Sequence, residues 1–311
     1  MPDDFGVVIA CHAGDYFLAK GCCASIRYFL GNVPICLIVD GRLSARRLQE
    51  LQGVRVITRD SVADATLRGR SFGYGLTKMV AFWLSPWKHF LYLDADTVVW
   101  GNVLKFASFD RADMVVDRPR FDYSNDFISA NFFDIDGVER HFPDFAWRDY
   151  RKYYFVTGAF FGTRGIFDID EYREILDLME SEQQLFHYGE MGLLNFLICR
   201  AAAEGRLRLG QEHIQLIVPD FSQAALKSRF PIVRGVPIYR GEDVIIHWCG
   251  SKPTSVVTKP YADPMTFFRR RFVLDSTGAA GALAKVRLTL EDALYYSRRY
   301  LAQLRRALSK G

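Results

Sequence analysis

Short apolar runs alternate with helix-like segments near the start of the chain, and this alternation constrains the fold most. The runs at 5–10 (FGVVIA), 34–41 (PICLIVDG) and 54–58 (VRVIT) are rich in β-branched residues, as buried strands are. Helix-like segments separate them, and one of these ends at Gly53. Strands that alternate with helices favour parallel pairing through crossover helices. The sequence therefore predicts an α/β fold with a mainly parallel sheet.

The composition is that of an ordinary globular protein: of 311 residues, 50% are hydrophobic and 24% charged. No apolar run approaches the roughly 18 residues that a bilayer-spanning helix needs, and the acidic start MPDDFG does not resemble a secretory signal. The cysteines lie mostly in apolar runs without paired Cys-x-x-Cys spacing, which favours buried, reduced thiols. We expect a soluble protein retained in the cytoplasm.

Positive charge is concentrated near the C-terminus, although the net charge of the whole chain is only +4. Residues 284–311 contain seven Lys or Arg and two acids, and three consecutive arginines at 269–271 add to them. Leucines spaced by three and four predict an amphipathic helix over 283–308. The residues that define its character are Leu290, Leu294, Leu301, Leu304, Leu308, Arg298, Arg299, Arg305, Arg306, Tyr295, Tyr296 and Tyr300.

Two interpretations of this helix stay open. It can lie on an anionic membrane, with its arginines near the head groups and its tyrosines at the interface. It can also dock its leucines on the domain or on a second subunit. We favour the membrane surface, because the arginines at 269–271 add to the same charge. A nucleic-acid partner is not expected, since no basic stripe belongs to a recognisable binding module.

An acidic pair follows the apolar run 89–93 (HFLYL) directly, as Asp94 and Asp96. Carboxylates at alternate positions where a strand ends can converge on one point. A hard divalent ion, Mg²⁺ or Mn²⁺, relieves their repulsion and leaves coordination positions for phosphate oxygens. The crevice beyond the carboxyl ends of parallel strands is also where open α/β sheets bind ligands. A solvated turn or a helix cap would explain the same pair.

A second polar cluster follows another apolar run, far along the chain. His247 ends this run, and Gly250 and Lys252 follow it closely. An imidazole can be a third ligand to the same metal, glycine permits close backbone approach, and lysine offers a charge to a phosphate. A lone histidine beside a tryptophan is more often a core residue. Three complementary residue types within six positions favour the functional interpretation.

The segments LYLDADTVV and HWCGSKP, with Lys78 in the helix before the first, resemble the nucleotide-sugar transferases of the GT-A fold. The similarity is strongest to glycosyltransferase family 8, which includes glycogenin, and it spans residues 5–255. It implies a Rossmann-like mixed, mainly parallel sheet flanked by helices. In that family an Asp-x-Asp pair and a histidine from an H-x-x-G-x-x-K-P segment bind Mn²⁺ and the diphosphate of a UDP-sugar.

The resemblance implies roles for individual positions of this chain. Asp94, Asp96 and His247 would be the ligands of Mn²⁺ or Mg²⁺, while Gly250 and Lys252 would meet the pyrophosphate. The loop after the first strand would cup the uracil and the ribose. The residues expected to bind the nucleotide sugar are Ala10, His12, Lys78, Asp94, Ala95, Gly250 and Lys252.

The chain departs from the family pattern at three points. HWCGSKP is one residue shorter between glycine and lysine than the family segment. The family's Asn-Ala-Gly strand is here Thr157, Gly158 and Ala159, so an amide that usually touches the sugar is missing. Met191 replaces the glutamine that lies beside the reacting carbon in the family.

Glu190 begins a predicted helix. A carboxylate at that position can hydrogen-bond sugar hydroxyls or accept the acceptor's proton, but it can equally serve only to complement the helix dipole. We expect Glu190 and Asp96 to act in catalysis. The segment 121–155 is rich in aromatic residues and is expected to be partly irregular, with most rings packed and a minority such as Trp147 or Tyr150 exposed to the acceptor.

These features predict a metal-dependent glycosyltransferase that moves a hexose from a UDP-sugar to a hydroxyl of a saccharide or lipid-linked acceptor, with retention. Residues 1–265 would form the catalytic domain, with the donor bound by 1–100 and the acceptor by 101–265. Residues 266–311 would form a basic helical extension that brings the protein to the inner face of the membrane. Such an enzyme suits polysaccharide biosynthesis, and an oligomer is left open.

Other functions remain as alternatives. An inverting transferase of the same fold would use Glu190 or another acid as its general base. A nucleotidyltransferase is disfavoured, because the loop ACHAGDYF lacks the basic residues that such enzymes carry after their first strand. A nucleotide-sugar-binding protein without catalysis is the non-enzymatic alternative.

Overall fold

The computed structural model describes residues 4–73, 75–250, 252–256, 260–278 and 281–308, without the side chains of residues 277, 302 and 305–308. The strands are β1 (Phe5–His12), β2 (Ile35–Asp40), β3 (Arg55–Thr58), β4 (His89–Asp94), β5 (Thr97–Trp100), β6 (Met114–Asp117), β7 (Ala159–Thr163), β8 (Leu209–Glu212), β9 (Gln215–Ile217), β10 (Ile232–Val233), β11 (Val236–Pro237) and β12 (Val244–His247).

The helices are α1 (Tyr16–Phe29), α2 (Arg46–Gln52), α3 (Ala65–Arg70), α4 (Ala81–Leu84), α5 (Asn125–Asn131), α6 (Ile135–His141), α7 (Ile169–Ser181), α8 (Glu190–Ala203), α9 (Gln223–Arg229), α10 (Asp263–Thr277) and α11 (Gly281–Leu308). Short 3-10 helices cover Ala13–Asp15, Arg59–Ser61, Leu76–Val80, Val103–Phe106, Trp147–Tyr153 and Val218–Asp220.

Seven strands form the main sheet, in the order β3-β2-β1-β4-β7-β6-β8. The strands from β3 to β4 are parallel to one another, β7 runs antiparallel to both of its neighbours, and β8 is parallel to β6. The predicted mainly parallel α/β sheet is therefore confirmed. Gly53 also lies where predicted, ending α2 with a φ of 61° that favours glycine.

Both faces of the main sheet are covered, which explains why its strands are almost continuously apolar. Successive residues of a strand point to opposite faces. Val7 and Ile9 of β1 pack in the core with α1 and α10, whereas Val8 packs with Met79 and α8 on the other face. The helices on the two sides thus bury the apolar side chains of both faces of the sheet.

A second sheet of three strands, β5-β12-β9, connects distant parts of the chain. β12 is antiparallel to β5 and parallel to β9. The chain leaves the main sheet at Asp94 and enters the small sheet at Thr97, with a tight turn between them. The end of β4 therefore lies at the junction of the two sheets.

The aromatic-rich segment 121–155 is more regular than predicted, because most of it folds into α5, α6 and a 3-10 helix. The prediction that Trp147 is exposed to an acceptor is wrong: the side chain is buried, and its indole N–H donates to Glu139 Oε1 at 2.8 Å. Tyr150 is half-buried, and the centroid of its ring lies 6.3 Å from the ring centroid of Phe145. The rings of this segment mostly form core.

The two C-terminal helices pack one on the other: α10 packs on the body of the protein, and α11 packs on α10. α10 contributes Met265, Phe268 and Phe272 to the core beneath the main sheet, so the predicted boundary between residues 265 and 266 falls inside a packed helix. α11 packs along α10 through Ala284 and Leu288. The predicted C-terminal helix is thus present, and it lies against the body of the protein.

Within the described ranges, no helix combines the length and apolar content that crossing a bilayer requires. All six cysteines are free of disulfide bonds; five are buried and Cys249 is half-buried. Burial raises the pKa of the Cys11 thiol well above its usual range, which favours the protonated thiol at neutral pH.

Candidate active site

Asp94 and Asp96 lie at the junction between the two sheets. Asp94 is the last residue of β4, Ala95 and Asp96 form the turn, and Thr97 begins β5. The Thr97 hydroxyl donates to the Asp94 carbonyl at 2.8 Å, and the Asp94 N–H donates to the carbonyl of Gly158 at 2.8 Å. These hydrogen bonds hold the turn on both sides and direct two carboxylates to the same edge of the sheet.

β12 brings His247 to this turn. His247 pairs with Thr97 in the small sheet, and the Trp248 N–H donates to the Asp96 carbonyl at 3.2 Å. Nε2 of His247 lies 3.9 Å from Asp94 Oδ2 and 3.7 Å from Asp96 Oδ1, and ligand atoms of the three residues all lie within 4.8 Å of one another. Two carboxylate oxygens and one imidazole nitrogen at these separations fit one divalent cation.

The protonation states at this cluster also suit a metal. Burial lowers the pKa of His247, so the ring is neutral at pH 7 and keeps a lone pair for a cation. Burial alone would raise the pKa of Asp94, but the Lys78 ammonium lowers it below its usual value, as does the hydroxyl of Tyr92, which donates to Oδ1 at 2.6 Å. A charged carboxylate therefore lies beside a neutral imidazole, as metal binding requires.

Lys78 is buried between two carboxylates. Its Nζ lies 3.3 Å from Asp94 and 3.0 Å from Glu190, and it donates to the carbonyl and the hydroxyl of Thr157 at 3.0 and 3.1 Å. Burial would lower the pKa of Lys78, but Asp94 and Glu190 raise it. An ammonium has three N–H donors, and these contacts use all of them. Lys78 is therefore placed to orient the two carboxylates.

Lys252 contacts the second acid of the pair. Its Nζ lies 2.7 Å from Asp96 and 3.6 Å from Asp15. Burial would lower the pKa of Lys252, but the two carboxylates raise it, so the side chain is charged at pH 7. Gly250 has a φ of 81°, and nothing lies within 4 Å of the position that a Cβ would take. A ligand can therefore approach the backbone closely beside a charged lysine.

A cavity of about 610 Å³ lies over these groups, within the size range of small-molecule and cofactor sites. Its lining contains every residue that the sequence predicted for the site: Ala10, His12, Lys78, Asp94, Ala95, Asp96, Glu190, His247, Gly250 and Lys252.

The end of β1 forms one side of this cavity. Ala10 pairs with Asp94 across the two parallel strands, and His12 is the last residue of β1. Nδ1 of His12 accepts a hydrogen bond from the Gly14 N–H at 3.0 Å, which fixes the side chain at the start of the following loop. The predicted nucleotide loop therefore lies beside the acidic pair.

Glu190 is the first residue of α8, and it follows two residues with positive φ, Tyr188 at 51° and Gly189 at 61°. Its carboxylate pairs with Lys78 and lies 3.5 Å from the hydroxyl of Thr157. Glu190 thus lines the cavity together with Lys78 and Asp94, and these three residues form its charged wall. Its carboxylate therefore does more than complement a helix dipole.

Three residues near the cluster were not predicted from the sequence. Asp15 and Asp40 line the cavity, and Asp40 pairs with His12 at the end of the neighbouring strand. A signal for Asp40 was present, since an acid follows the apolar run of β2 at the same sheet edge. Gln215, whose side chain contacts His247, offered no signal, because only the pairing of β9 with β12 brings the two together.

No family model matches the sequence, and no curated protein matches it. Solved structures do resemble it. An active-site mutant of LgtC has a TM-score of 0.53 at 16% identity, covering 85% of this chain and 94% of LgtC. The galactosyltransferase LgtC in complex with donor and acceptor sugar analogs has a TM-score of 0.51 at 16% identity, covering 88% and 96%.

The glycosyltransferase GlyE of Streptococcus pneumoniae TIGR4 is a third similar structure, with a TM-score of 0.51 at 15% identity. The match covers 90% of this chain and 62% of GlyE. At these identities the likeness establishes architecture. The chain has the GT-A fold of glycosyltransferases, as the sequence predicted.

Proposed function

We propose that this chain is a metal-dependent glycosyltransferase, similar to those of family 8. It transfers a hexose from a UDP-sugar to a hydroxyl of a saccharide or lipid-linked acceptor, with retention of the anomeric configuration. The convergence of Asp94, Asp96 and His247 within 4.8 Å, in the lining of a cavity of about 610 Å³ in a GT-A fold, carries this proposal.

In this proposal Asp94, Asp96 and His247 hold Mn²⁺ or Mg²⁺. When bound, the ion neutralises negative charge on the donor's two phosphates and on the departing diphosphate. Lys252 supplies a further positive charge next to Asp96, and Gly250 lets the pyrophosphate approach the backbone. The loop after β1, with Ala10 and His12, receives the nucleoside.

The charged wall of the cavity acts on the sugars. Lys78 keeps Asp94 and Glu190 in fixed positions, and the Glu190 carboxylate then hydrogen-bonds sugar hydroxyls or accepts the proton of the acceptor hydroxyl. Met191 also lines the cavity where the family has glutamine. The complex of LgtC with donor and acceptor sugar analogs supports a cavity that serves two sugar substrates.

A release assay tests the proposal. The purified protein is incubated with a panel of UDP-hexoses and Mn²⁺, and free UDP is measured with and without a chelator. We expect Mn²⁺-dependent release with at least one donor, and a loss of about a hundredfold or more in His247→Ala. The matched control is His213→Ala, since His213 is exposed on the connection between β8 and β9.

Two outcomes contradict the proposal in different ways. Equal UDP release in His247→Ala and in the unmodified protein would remove the metal assignment. Mn²⁺-dependent UDP binding with no release for any donor, over long incubation with acceptor extracts, would favour a binding protein without catalysis. If transfer occurs, the product anomer determined by NMR distinguishes retention from inversion, in which Glu190 would act as general base.

We further propose that α11 places this enzyme on an anionic membrane surface on the cytoplasmic side. The large aliphatic side chains that α11 exposes lie on one face: in a helical projection with about 100° per residue they span a sector about 80° wide. They are Leu283, Val286, Leu290, Leu294, Leu301 and Leu304, each between 41% and 63% exposed. This exposed apolar face is defined by those six residues.

The charges of α11 are divided between its two sides. Its two acids turn inward, where Asp292 is fully buried and Glu291 pairs with Lys20 at 2.5 Å. The basic side chains of α11 that the structure describes, Lys285, Arg287, Arg298 and Arg299, are exposed, with Arg287 and Arg298 beside the exposed apolar face. A face with apolar side chains and an excess of positive charge fits anionic lipid.

Some residues predicted to meet the membrane do not face it. Arg269 is buried and paired with Asp292 at 2.8 Å, so it adds no surface charge beside α11. Tyr295 packs on Phe17, and the hydroxyl of Tyr296 hydrogen-bonds that of Thr254 at 3.0 Å. Of the three tyrosines, Tyr300 is therefore the exposed one. The predictions for Arg305, Arg306 and Leu308 fall on side chains outside the described residues.

Vesicle flotation tests the membrane proposal. Replacing Leu290 and Leu294 by serine should weaken binding to phosphatidylglycerol vesicles at least tenfold, because each buried leucine contributes about 1.5–3 kcal/mol. The melting temperature should stay unchanged, since both side chains are exposed. Leu51→Ser, at an exposed leucine of α2, is the matched control. Unchanged flotation, or a dimer on gel filtration that the double variant abolishes, would favour docking to a second copy.

A further inference from the structure

Gln215 connects the metal-site histidine to the protein framework. Its Oε1 lies 3.1 Å from Nδ1 of His247, and its Nε2 donates to the carbonyl of Val156. Gln215 lies on β9, which runs parallel to β12 with Gln215 opposite Ile245. The side chain therefore reaches along the sheet to the residue two positions further on, a normal diagonal contact between paired strands.

The partner at the far end determines which way the amide points. A backbone carbonyl can only accept a hydrogen bond, so the NH₂ group of Gln215 must face Val156. The amide oxygen must then face His247, and an oxygen can only accept. Nδ1 of His247 is consequently the donor and carries the ring proton, while Nε2 keeps its lone pair on the side of Asp94 and Asp96.

Two further contacts hold this arrangement in place. A carboxylate oxygen of Asp117 accepts hydrogen bonds from the backbone N–H groups of Ile214 and Gln215 at 2.9 and 3.0 Å, which anchors the start of β9. The backbone of Gly158 lies directly against the His247 ring, since a Cβ there would fall 2.2 Å from the ring carbon Cε1. The ring is thus restrained both at its edge and on its face.

We propose that Gln215 is a positioning residue of the metal site: it holds His247 in the tautomer protonated on Nδ1, and so presents Nε2 to the cation. This inference rests on the proposed function, because it takes His247 as a metal ligand. Histidine ligands commonly donate their second ring N–H to an acceptor, and losing that acceptor lowers metal affinity 10–100-fold. Here the acceptor is a neutral amide on a neighbouring strand.

Mn²⁺ affinity in the presence of UDP, measured by calorimetry, tests the inference without turnover. Gln215→Leu keeps much of the side-chain volume but removes the acceptor, and we expect 10–100-fold weaker Mn²⁺ binding. Gln215→Glu keeps an acceptor for Nδ1–H and should bind within about threefold of the unmodified protein. Gln211→Leu is the matched control, because Gln211 also donates to a carbonyl but lies on β8, away from His247.

A purely structural role for Gln215 predicts a different order of Mn²⁺ affinities. In that case Gln215→Glu would lose at least as much affinity as Gln215→Leu, because it buries a charge at this position. Equal Mn²⁺ affinity in Gln215→Leu and Gln211→Leu, or equal losses in the leucine and glutamate variants, would overturn the inference. If the unmodified protein binds no Mn²⁺, the proposed function fails instead.

The tautomer can also be observed directly, even if Gln215→Leu does not fold. Long-range ¹H–¹⁵N NMR of the unmodified protein identifies the protonated ring nitrogen of each histidine, and the His247 signals are assigned by their absence in His247→Ala. We expect His247 to be protonated on Nδ1. Protonation on Nε2 would overturn the inference whatever the metal affinities are.

Discussion

Two buried charge networks in this protein have similar chemistry and different surroundings. The site network comprises Lys78, Asp94, Asp96, Glu190, His247 and Lys252. The tail network comprises Lys20 of α1, Arg269 of α10, and Glu291 and Asp292 of α11. Both contain ammonium or guanidinium groups within 3.5 Å of carboxylates.

The two networks differ in charge balance and in access. In the tail network two buried cations match two acids between the helices, and the exposed Arg287 lies 3.9 Å from Glu291 at the edge of this network. In the site network three carboxylates, with Asp15 as a fourth at 3.6 Å from Lys252, face two lysines and a neutral histidine, and a cavity opens over them. Buried ion pairs that solvent and ligands cannot reach fix how the helices pack against one another. An excess of carboxylates beside a cavity is what a divalent cation can neutralise.

The same substitution in each network should give the largest contrast. Asp96→Asn should reduce UDP release about a hundredfold or more, while the free energy of unfolding changes by less than about 1 kcal/mol. Asp292→Asn leaves Arg269 buried without its closest partner and should lower the free energy of unfolding by about 3–5 kcal/mol. Its UDP release per folded molecule should stay within about threefold of normal.

Release assays and urea unfolding of both variants check this contrast. If Asp96→Asn unfolds and Asp292→Asn loses turnover, the assignment of the two networks is reversed.

A glycine packed against each network gives a second, smaller contrast. A Cβ on Gly158 would lie 2.2 Å from Cε1 of His247, so Gly158→Ala must displace the ring. We expect Mn²⁺ affinity to fall about tenfold or more. A Cβ on Gly21 would lie 2.4 Å from Sδ of Met265 and 2.9 Å from Cγ of Arg269, so Gly21→Ala separates α1 from α10 and should cost about 1–3 kcal/mol of stability.

Calorimetry with Mn²⁺ and thermal unfolding of the two glycine variants separate these effects. Equal Mn²⁺ affinities in both variants would show that the ring of His247 has more room than the structure indicates.

The smallest effect concerns acid stability of the metal-free protein. The pKa of Asp94 is lowered in the folded state, chiefly by Lys78, so the unfolded chain binds a proton there first. Its stabilising contribution is present above the ordinary aspartate pKa and is lost as pH falls through the lowered value. Urea unfolding between about pH 5 and pH 2 should therefore show a shallower acid-side loss in Asp94→Asn than in the unmodified protein. Identical slopes would mean that the site network does not stabilise the apo fold.

Much of the fold followed from local patterns. The apolar runs of β1, β2 and β3 were long enough and bounded clearly enough to be predicted as buried strands, and Gly53 marked the end of α2. The segment 121–155 was less predictable, because its aromatic residues fit neither strand nor helix periodicity. Its short helices are stabilised by packing of rings such as Trp147, which a local pattern does not show.

The arginines at 269–271 show where an available signal was missed. Arg269 lies four residues after Met265 and three before Phe272, so helical periodicity puts it on the buried face. A count of charges treats the three arginines alike, whereas the helix turns one of them inward to Asp292 and leaves Arg270 and Arg271 outside.

By itself, the sequence determined the alternation of strands and helices at the start of the chain, the acidic pair at the end of β4 and the amphipathic character of α11, because each depends on neighbours a few positions away. The sequence proposed His247 as the partner of Asp94 and Asp96, but only the tertiary structure decided how close the three lie, that Gln215 contacts the ring, and that Lys20 and Arg269 neutralise the acids of α11. Those contacts join residues from distant parts of the chain. The pairing of β5, β12 and β9 brings the first set into contact, and the packing of α1, α10 and α11 brings the second.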